Sequence, residues 1–380
     1  MLKKKNKQGH PVGRRTILKA AGLSAAALLA GCGQGSEPAS GDGTVPKKQR
    51  NLKMVTTWPK NFPGIGTGAE RFARRVGELS ERAINIHVYA AGELAPALSA
   101  FDAVSGGKAD MYHGAEYYWQ GRSRAFNFFA AVPFGMTATE INAWIHHDGG
   151  QQLWDELSAG FNIKPMMCGN SGCQAGGWFR KEINTLEDLQ GLRIRIPGLG
   201  GEVFRRLGAT PVTKPGGEIF LALSQGNIDA AEWIGPWNDM AFGFHTIADY
   251  YYFPGIHEPG TVLSLGLNLD LWNELSAWEQ TVIRTAAESE NSYMWAEFNA
   301  MNARALDLLV NQHGVKLRRF SDDILREMLK ISRQVLKETA AEDDLTGRVY
   351  NSFKASLERQ SFYGEVSERA FRRARMLGEK

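Results

Sequence analysis

Two segments of this chain, 119 residues apart, repeat one pattern. Phe101-Asp-Ala-Val-Ser-Gly-Gly-Lys-Ala-Asp110 and Phe220-Leu-Ala-Leu-Ser-Gln-Gly-Asn-Ile-Asp229 share Phe, Ala, Ser, Gly and Asp at the same five places. Each reads as a helix, a glycine turn and the start of a strand. Repetition in the same predicted context constrains the fold to two lobes built on one plan. Two α/β lobes facing each other take ligands between the carboxyl ends of their strands. The first repeat runs on to Glu116-Tyr117-Tyr118-Trp119 and the second to Glu232-Trp233, so each lobe is expected to offer an acid and aromatic rings to a shared cleft.

Hydrophobic periodicity supports this plan. Leu52 to Trp58 reads as a strand. Phe72, Ala73, Val76 and Leu79 recur at helical spacing over Glu70 to Ser80, and Ile84, Ile86 and Val88 then alternate with polar residues. Strand, helix and strand at this spacing predict a parallel βαβ unit with a right-handed crossover. Leu98 to Val104 is predicted helical, and Ala109 to Tyr112 a short strand. In the second lobe, Thr185 is a candidate N-cap for a short helix, with Asp188 three residues on. Leu192, Ile194 and Ile196 alternate with Arg193 and Arg195, so both arginines share one strand face, and Pro197-Gly198 ends the strand. The last third reads as helical. Ser276-Ala-Trp-Glu279 has the form of a capping box, before a run to Val310 whose stripe comprises Trp278, Val282, Ala286, Tyr293, Phe298, Met301, Ala305 and Leu309. Gly314 is a predicted C-cap, Val315 to Phe320 a brief strand, Ser321 the cap of another helix, and Thr346 to Met376 one or two more.

The amino terminus addresses the chain. Lys3, Lys4, Lys5 and Lys7 precede Arg14-Arg15-Thr16-Ile17-Leu18-Lys19, a twin-arginine export pattern, and an apolar run from Ala20 to Ala30 follows. That run is too short, and too rich in Ala and Gly, for a membrane span. Leu29-Ala30-Gly31-Cys32 resembles a bacterial lipobox, which implies cleavage before Cys32, lipidation of its sulfur, and a periplasmic or extracytoplasmic protein anchored to a membrane. Residues 32–50 form a Gly-, Ser- and Pro-containing tether. Residues 1–31 hold seven Lys and Arg and no acid, so 44 basic against 41 acidic residues in the precursor becomes a net charge of −4 in the mature chain. No basic face survives for a nucleic-acid partner. Of three cysteines only Cys168 and Cys173 remain, a pair whose spacing permits a disulfide but makes no zinc site.

Chemistry concentrates between Cys168 and Trp237. Arg195 supplies a rigid fork of donors matched to a carboxylate. Gln174 and Glu232 supply oxygens suited to Na⁺ or Ca²⁺, and indoles wall the pocket. Arg193 is a rival to Arg195, but Arg195 stands at the strand's carboxyl end. Trp119, Trp233 and Trp237 have core packing as their plainer fate, and only one face of Tyr250-Tyr251-Tyr252 can see a ligand. His146-His147-Asp148 reads as solvated surface, since adjacent residues on a helix do not face each other. No G-x-S-x-G or H-E-x-x-H motif occurs. A thiol with His113 would lack a cation to activate it, Arg180 and Lys181 aside. The inventory suits capture of a small organic acid, alone or as its metal salt, rather than catalysis.

At this level of detail the chain resembles the solute-binding subunit of a tripartite ATP-independent periplasmic (TRAP) transporter, in the branch that binds 2-oxo acids and lactate. The resemblance rests on Ala91-Gly92-Glu93-Leu94, Tyr117-Tyr118-Trp119, the runs Cys168 to Gly198, Gly226 to Trp237 and Tyr250 to Pro259, and extends over nearly all of 51–340. It implies an α/β, two-lobed, type II-like periplasmic binding protein with its ligand cleft between the lobes and long C-terminal helices. The expected division is 51–169 with 236–263 in one lobe, 170–235 with 264–330 in the other, and 331–380 as C-terminal helices. The family's carboxylate-binding arginine falls on Arg195. Its cation ligands fall on Gln174, Glu232 and the main-chain oxygen of Trp233, and its further ligand contacts on Asn170 and Tyr117. The resemblance also implies bound Na⁺ or Ca²⁺, no organic cofactor, and TRAP membrane subunits as partners; an exposed stripe on the C-terminal helices would allow a homodimer. The chain departs from the family pattern at Cys173, where a small apolar residue is expected, and at Pro197, where glycine is usual. A binding protein for an ATP-driven importer would share the fold, and the cation-plus-arginine site separates the two.

Overall fold

A computed structural model describes residues 49–378. The expected export signal, the expected lipidation site Cys32 and nearly all of the expected tether lie outside the described residues. Eleven strands are described: β1 (Arg50–Thr56), β2 (Ile84–Tyr89), β3 (Met111–Gly114), β4 (Ile163–Asn170), β5 (Gly177–Phe179), β6 (Arg193–Arg195), β7 (Thr210–Val212), β8 (Ala230–Ala231), β9 (Tyr250–Phe253), β10 (Val262–Asn268) and β11 (Lys316–Arg319). They form two sheets, ordered β2-β1-β3-β10-β4 and β11-β9-β5-β8-β6-β7. Each sheet is the centre of one lobe. β1 pairs in parallel with β2 and β3. The helix Ile65–Leu79 between β1 and β2 buries Ile65, Ala69, Phe72, Ala73 and Val76, the stripe its periodicity calls for. The predicted βαβ unit therefore forms.

The sequence repeat is a structural repeat. Gly107 and Gly226 both adopt positive φ, 73° and 71°, which a glycine reaches without the Cβ penalty. Beyond each glycine an aspartate makes the same clasp. The Asp110 amide donates to the Lys53 carbonyl at 3.0 Å, and its carboxylate accepts from the Lys53 amide at 2.6 Å. The Asp229 amide donates to the Arg193 carbonyl at 2.7 Å, and its carboxylate accepts from the Arg193 amide at 3.1 Å. Each aspartate thus fastens the start of one strand to its parallel neighbour, β3 to β1 and β8 to β6.

Chain crossings between the lobes differ from those expected. β9, expected with the first lobe, pairs with β5 and β11 in the second sheet. β10, most of which was expected with the second lobe, lies between β3 and β4 in the first sheet. Both are near-continuous apolar strands, and such a strand carries no mark of the sheet it joins. The short helix expected after Thr185 is a single 3₁₀ turn, Glu187–Leu189. Asp188 is the capping group there: its carboxylate accepts from the amides of Asn184 and Thr185, both at 2.9 Å.

One helix of 35 residues, Ala277–Asn311, runs past both lobes from the predicted capping box of Ser276 and Glu279. Val282, Ile283, Ala286 and Ala287 join the core around β1. Met294, Phe298 and Leu309 join the core that contains Trp58 and Trp233. Glu290 is buried midway and held by Arg71 through two hydrogen bonds of 2.8 and 2.6 Å. Trp278 and Tyr293, counted in the predicted stripe, lie on the outer side; one stripe over 35 residues drifts around a straight helix. Helices Asp322–Ala340, Asp344–Val366 and Glu368–Arg375 complete the fold. Asp148 is more than solvated surface: its carboxylate accepts from Ser356 and Arg359 and so holds the penultimate helix.

Candidate solute-binding site

The site forms where several chain segments leave their strands. Trp58 follows β1, Tyr117 and Tyr118 follow β3, and Asn170 ends β4. Gln174 lies between β4 and β5, Arg195 ends β6, Glu232 and Trp233 follow β8, and His257, Glu258 and Thr261 lie between β9 and β10. Except for the partly exposed Tyr118, all are buried. Both sheets therefore contribute to one enclosed polar cluster.

Arg195 is its centre. The guanidinium donates through Nε to the Lys214 carbonyl at 3.1 Å, and through Nη1 to the Glu232 carbonyl at 2.8 Å and to Glu232 Oε2 at 3.0 Å. Its other nitrogen, Nη2, reaches only the Tyr118 hydroxyl, at 3.4 Å. The Trp233 ring lies 5.0 Å from the guanidinium carbon, and Trp58 and Trp233 meet edge to face. Arg193, on the same strand, is occupied by Asp229 through a two-point ion pair on the outer surface. One end of the Arg195 fork is thus anchored, and the other faces the tyrosines with a single long bond.

Around this fork the structure leaves buried polar atoms without partners. Gln174 donates from its amide nitrogen to Ser171 at 2.9 Å and to Thr261 at 3.1 Å, while its Oε1 has none. Glu232 Oε1, His257 Nε2 and the Trp233 indole nitrogen are unpartnered as well. Thr261 and Tyr117 donate to Glu258 Oε2 at 2.7 and 3.3 Å. Leaving buried polar groups unmet is unfavourable unless something else meets them. Carboxylate and amide oxygens are the ligands hard cations take. The donor set therefore fits Na⁺ or Ca²⁺.

Charge argues the same way. Burial pushes the Glu232 carboxyl up to about 8 despite the neighbouring Arg195 guanidinium. Burial, with the charge of Glu232 adding to it, pushes Glu258 up to about 7. Two buried carboxylates face one guanidinium, and a second positive charge would let both ionise.

Asn170 is spent on its own loop: it donates to the Gly260 carbonyl and accepts from the Gly172 amide. Trp119 packs in the first lobe's core with Phe101 and Tyr112, and Trp237 against Phe298. Tyr251 stacks on Trp178 and donates to Asp239. Glu116, expected at the cleft as the counterpart of Glu232, instead accepts from Tyr112 inside its own lobe. Tyr117 and Tyr118 take its place. Cys168 is buried and Cys173 exposed, and both are free thiols. His257, Glu258 and Thr261 were given no role by sequence reasoning. Their signal is the segment Gly255-Ile-His-Glu-Pro-Gly260, where two ionisable side chains stand in a turn between two buried strands.

Two lobes enclosing a polar site around an arginine fork are the architecture of a solute-binding protein. The model of bacterial extracellular solute-binding protein family 7 matches residues 54–343, and the chain belongs to that family. A monocarboxylate 2-oxoacid-binding periplasmic protein from Nostoc is 39% identical over 359 residues, spanning 94% of this chain and 97% of the relative. A TRAP transporter solute-binding protein from Bordetella bronchiseptica, solved with calcium and picolinate, superposes with a TM-score of 0.85 at 35% identity, over 87% of this chain and 98% of that one. Another from Pseudoalteromonas atlantica, solved with sodium and pyruvate, has a TM-score of 0.83 at 37% identity, over 85% and 98%. Members of this family bind solutes rather than transform them, and work in the periplasm with the membrane subunits of a transporter.

Proposed function

We propose that this chain captures a small 2-oxo or 2-hydroxy monocarboxylate, of the size of pyruvate or lactate, together with a cation. The observation that carries this reading is the half-occupied Arg195 fork beside the unpartnered oxygens of Glu232 and Gln174. Nη2 of Arg195 takes the acid's carboxylate, and the tyrosine hydroxyls of Tyr117 and Tyr118 flank it. Gln174, Glu232 and the Trp233 carbonyl hold the cation, with Glu258 as a further oxygen donor. When bound, that cation supplies the positive charge that two carboxylates and an incoming anion require. Trp58 and Trp233 exclude water, which strengthens every polar contact inside. Contacts from both lobes favour the closed arrangement, so ligand shifts the population toward it by its differential affinity.

The same reading assigns residues 1–31 to a twin-arginine signal and Cys32 to a lipid anchor, with 32–50 as the tether. The exposed side chains of Phe362, Tyr363, Val366, Phe371 and Leu377 on the last helices support a homodimer surface there.

A thermal-shift panel tests the ligand. Pyruvate, 2-oxobutyrate, lactate and succinate are each offered with Ca²⁺, with Na⁺ and with chelator. A ligand at about a hundred times its Kd stabilises by about 2.7 kcal/mol. The expected result is a rise in Tm confined to the monocarboxylates, present with Ca²⁺ or with Na⁺ and lost with chelator in sodium-free buffer. A rise with none of them sinks the proposal.

A further inference from the structure

Tyr118 differs from the other side chains around Arg195: it is partly exposed, and its two ends face different spaces. Its hydroxyl stands 3.4 Å from Arg195 Nη2, the free end of the fork. Its ring lines a cavity of about 220 Å³ on the first lobe, together with Leu98, Phe101, Asp102, Trp119 and Arg122. Phe101 and Trp119 are buried core residues, so that cavity has an apolar floor. Asp102 and Arg122 form an ion pair at 2.8 Å, about half exposed on both sides, and make its polar rim. A cavity of this size has room for several carbon atoms. The other walls near the fork are filled. Trp58 and Trp233 are buried and meet edge to face. Tyr117 is buried edge-on against Tyr118, with its own hydroxyl committed to Glu258.

From this arrangement, and resting on the acid-binding reading above, we infer that Tyr118 sets the length of the acid the site accepts. An acid held through its carboxylate at Nη2 has the Tyr118 side chain beside it. The indoles and Tyr117 close the remaining sides, and Tyr118 closes this one. One or two carbons beyond the keto group fit in front of the ring, and a longer alkyl chain meets it. A close-packed wall yields little to such a chain. The space the chain needs lies behind the ring, in the apolar cavity. Tyr118 therefore separates three- and four-carbon acids from their six-carbon relatives. Without its ring, the cavity and the site become continuous, and Phe101 and Trp119 offer the longer chain apolar cover. Even one methylene in an apolar pocket is worth about tenfold or more in discrimination.

Calorimetry with pyruvate, 2-oxobutyrate and 2-oxohexanoate, each in the presence of Ca²⁺, reads chain length directly. The quantity compared is the ratio of the 2-oxohexanoate Kd to the pyruvate Kd, which cancels any general weakening from loss of the Tyr118 hydroxyl. Wild type should bind 2-oxohexanoate at least about tenfold more weakly than pyruvate. Tyr118→Ala should lower that ratio by at least about tenfold. Adding Leu98→Trp, which refills the cavity from its far side, should raise the ratio again. Should Tyr118→Ala fail to fold, Tyr118→Leu shortens the side chain while keeping an apolar body, and should move the ratio in the same direction. Equal binding of the two acids by wild type overturns the inference, as does a ratio that the Tyr118 variants leave unchanged. A fall that Leu98→Trp does not reverse overturns it too, because the chain then lies elsewhere. In each of these cases wild type still binds pyruvate, and the proposed function stands. No binding of any of the three acids by wild type removes the proposed function and this inference with it.

Discussion

Arg195 makes the sharpest demand on the residues around it. It is a buried cation whose charge is balanced by Glu232 on one side and exposed to the tyrosines on the other. Arg195→Ala should abolish acid binding in calorimetry. Breaking a buried pair by removing one partner is strongly destabilising, about 3–5 kcal/mol, so chemical denaturation should show a loss of that size. Arg195→Lys should fail to restore binding, because an ammonium cannot anchor to Glu232 and present a second parallel donor pair. Undiminished acid affinity in either variant would contradict the assignment. Much of this was legible in the sequence: an arginine at a strand end before Pro-Gly, and an acid between buried alanines and a tryptophan. His257 and Glu258 were not, because their place depends on how β9 and β10 divide between the sheets. Glu116 misled for a related reason. Its flanks match those of Glu232, but Tyr112, four residues earlier, turns it into the lobe.

His113 gives the residue scale a pH signature. Its Nδ1 accepts from the Trp58 indole at 2.7 Å, and its Nε2 faces the Cys168 carbonyl at 3.2 Å. That pairing suits the neutral ring, and burial holds its pKa down at about 4. The unfolded chain protonates near 6.5, so between about 6.5 and 4 the unfolded state binds more protons. Stability should therefore fall as pH drops through that window, by up to about 3 kcal/mol from this residue. Urea denaturation of wild type and His113→Asn across that range checks it: the wild type should lose more stability on acidification, and parallel profiles would refute the account.

At the scale of elements, the long helix depends on its first turn. Ser276 accepts from the Glu279 amide at 3.2 Å, and Glu279 accepts from the Ser276 amide at 2.8 Å. Glu279 also accepts from Arg50 on β1, so the cap ties the helix to the first sheet. Ser276→Ala should cost about 1 kcal/mol, seen as a lowered denaturation midpoint with an unchanged slope. Glu279→Ala should cost more, since it removes the Arg50 contact as well. This element was readable because capping chemistry is local. The crossings of β9 and β10 were not, because pairing partners are chosen by contacts remote in sequence. The repeat lay between these cases: its glycines and aspartates carry backbone roles that survive translation from one lobe to the other.

For the whole molecule, enclosure is the governing fact. Arg195 and Glu232 are respectively 1% and 0% exposed, so a solute reaches them only when the lobes part. Opening is then a step that concentration cannot hasten. Stopped-flow tryptophan fluorescence, reported by Trp58 and Trp233, should show an observed rate that levels off at high acid concentration. A rate rising linearly throughout would mean that the closed form admits ligand directly. Lobe motions of this kind fall in the microsecond-to-millisecond range, within reach of the method for the slower cases.

The position of β10 bears on how the chain is made. The first sheet has β10 in its interior, between β3 and β4, and the second has β11 at its edge. A ribosome reading from the amino end delivers β1 to β4 early and must travel about another hundred residues before β10 appears. Until then β3 and β4 have no strand between them, and the apolar faces destined for that sheet have no cover. The second sheet stays incomplete until Lys316–Arg319 emerges. The first sheet therefore closes only after β5 to β9 of the second have been made, the second closes later still, and both cores are completed late in translation. Nascent chains stalled before residue 268 should be open to added protease in both lobes, whereas release of the full chain should bring protection to both.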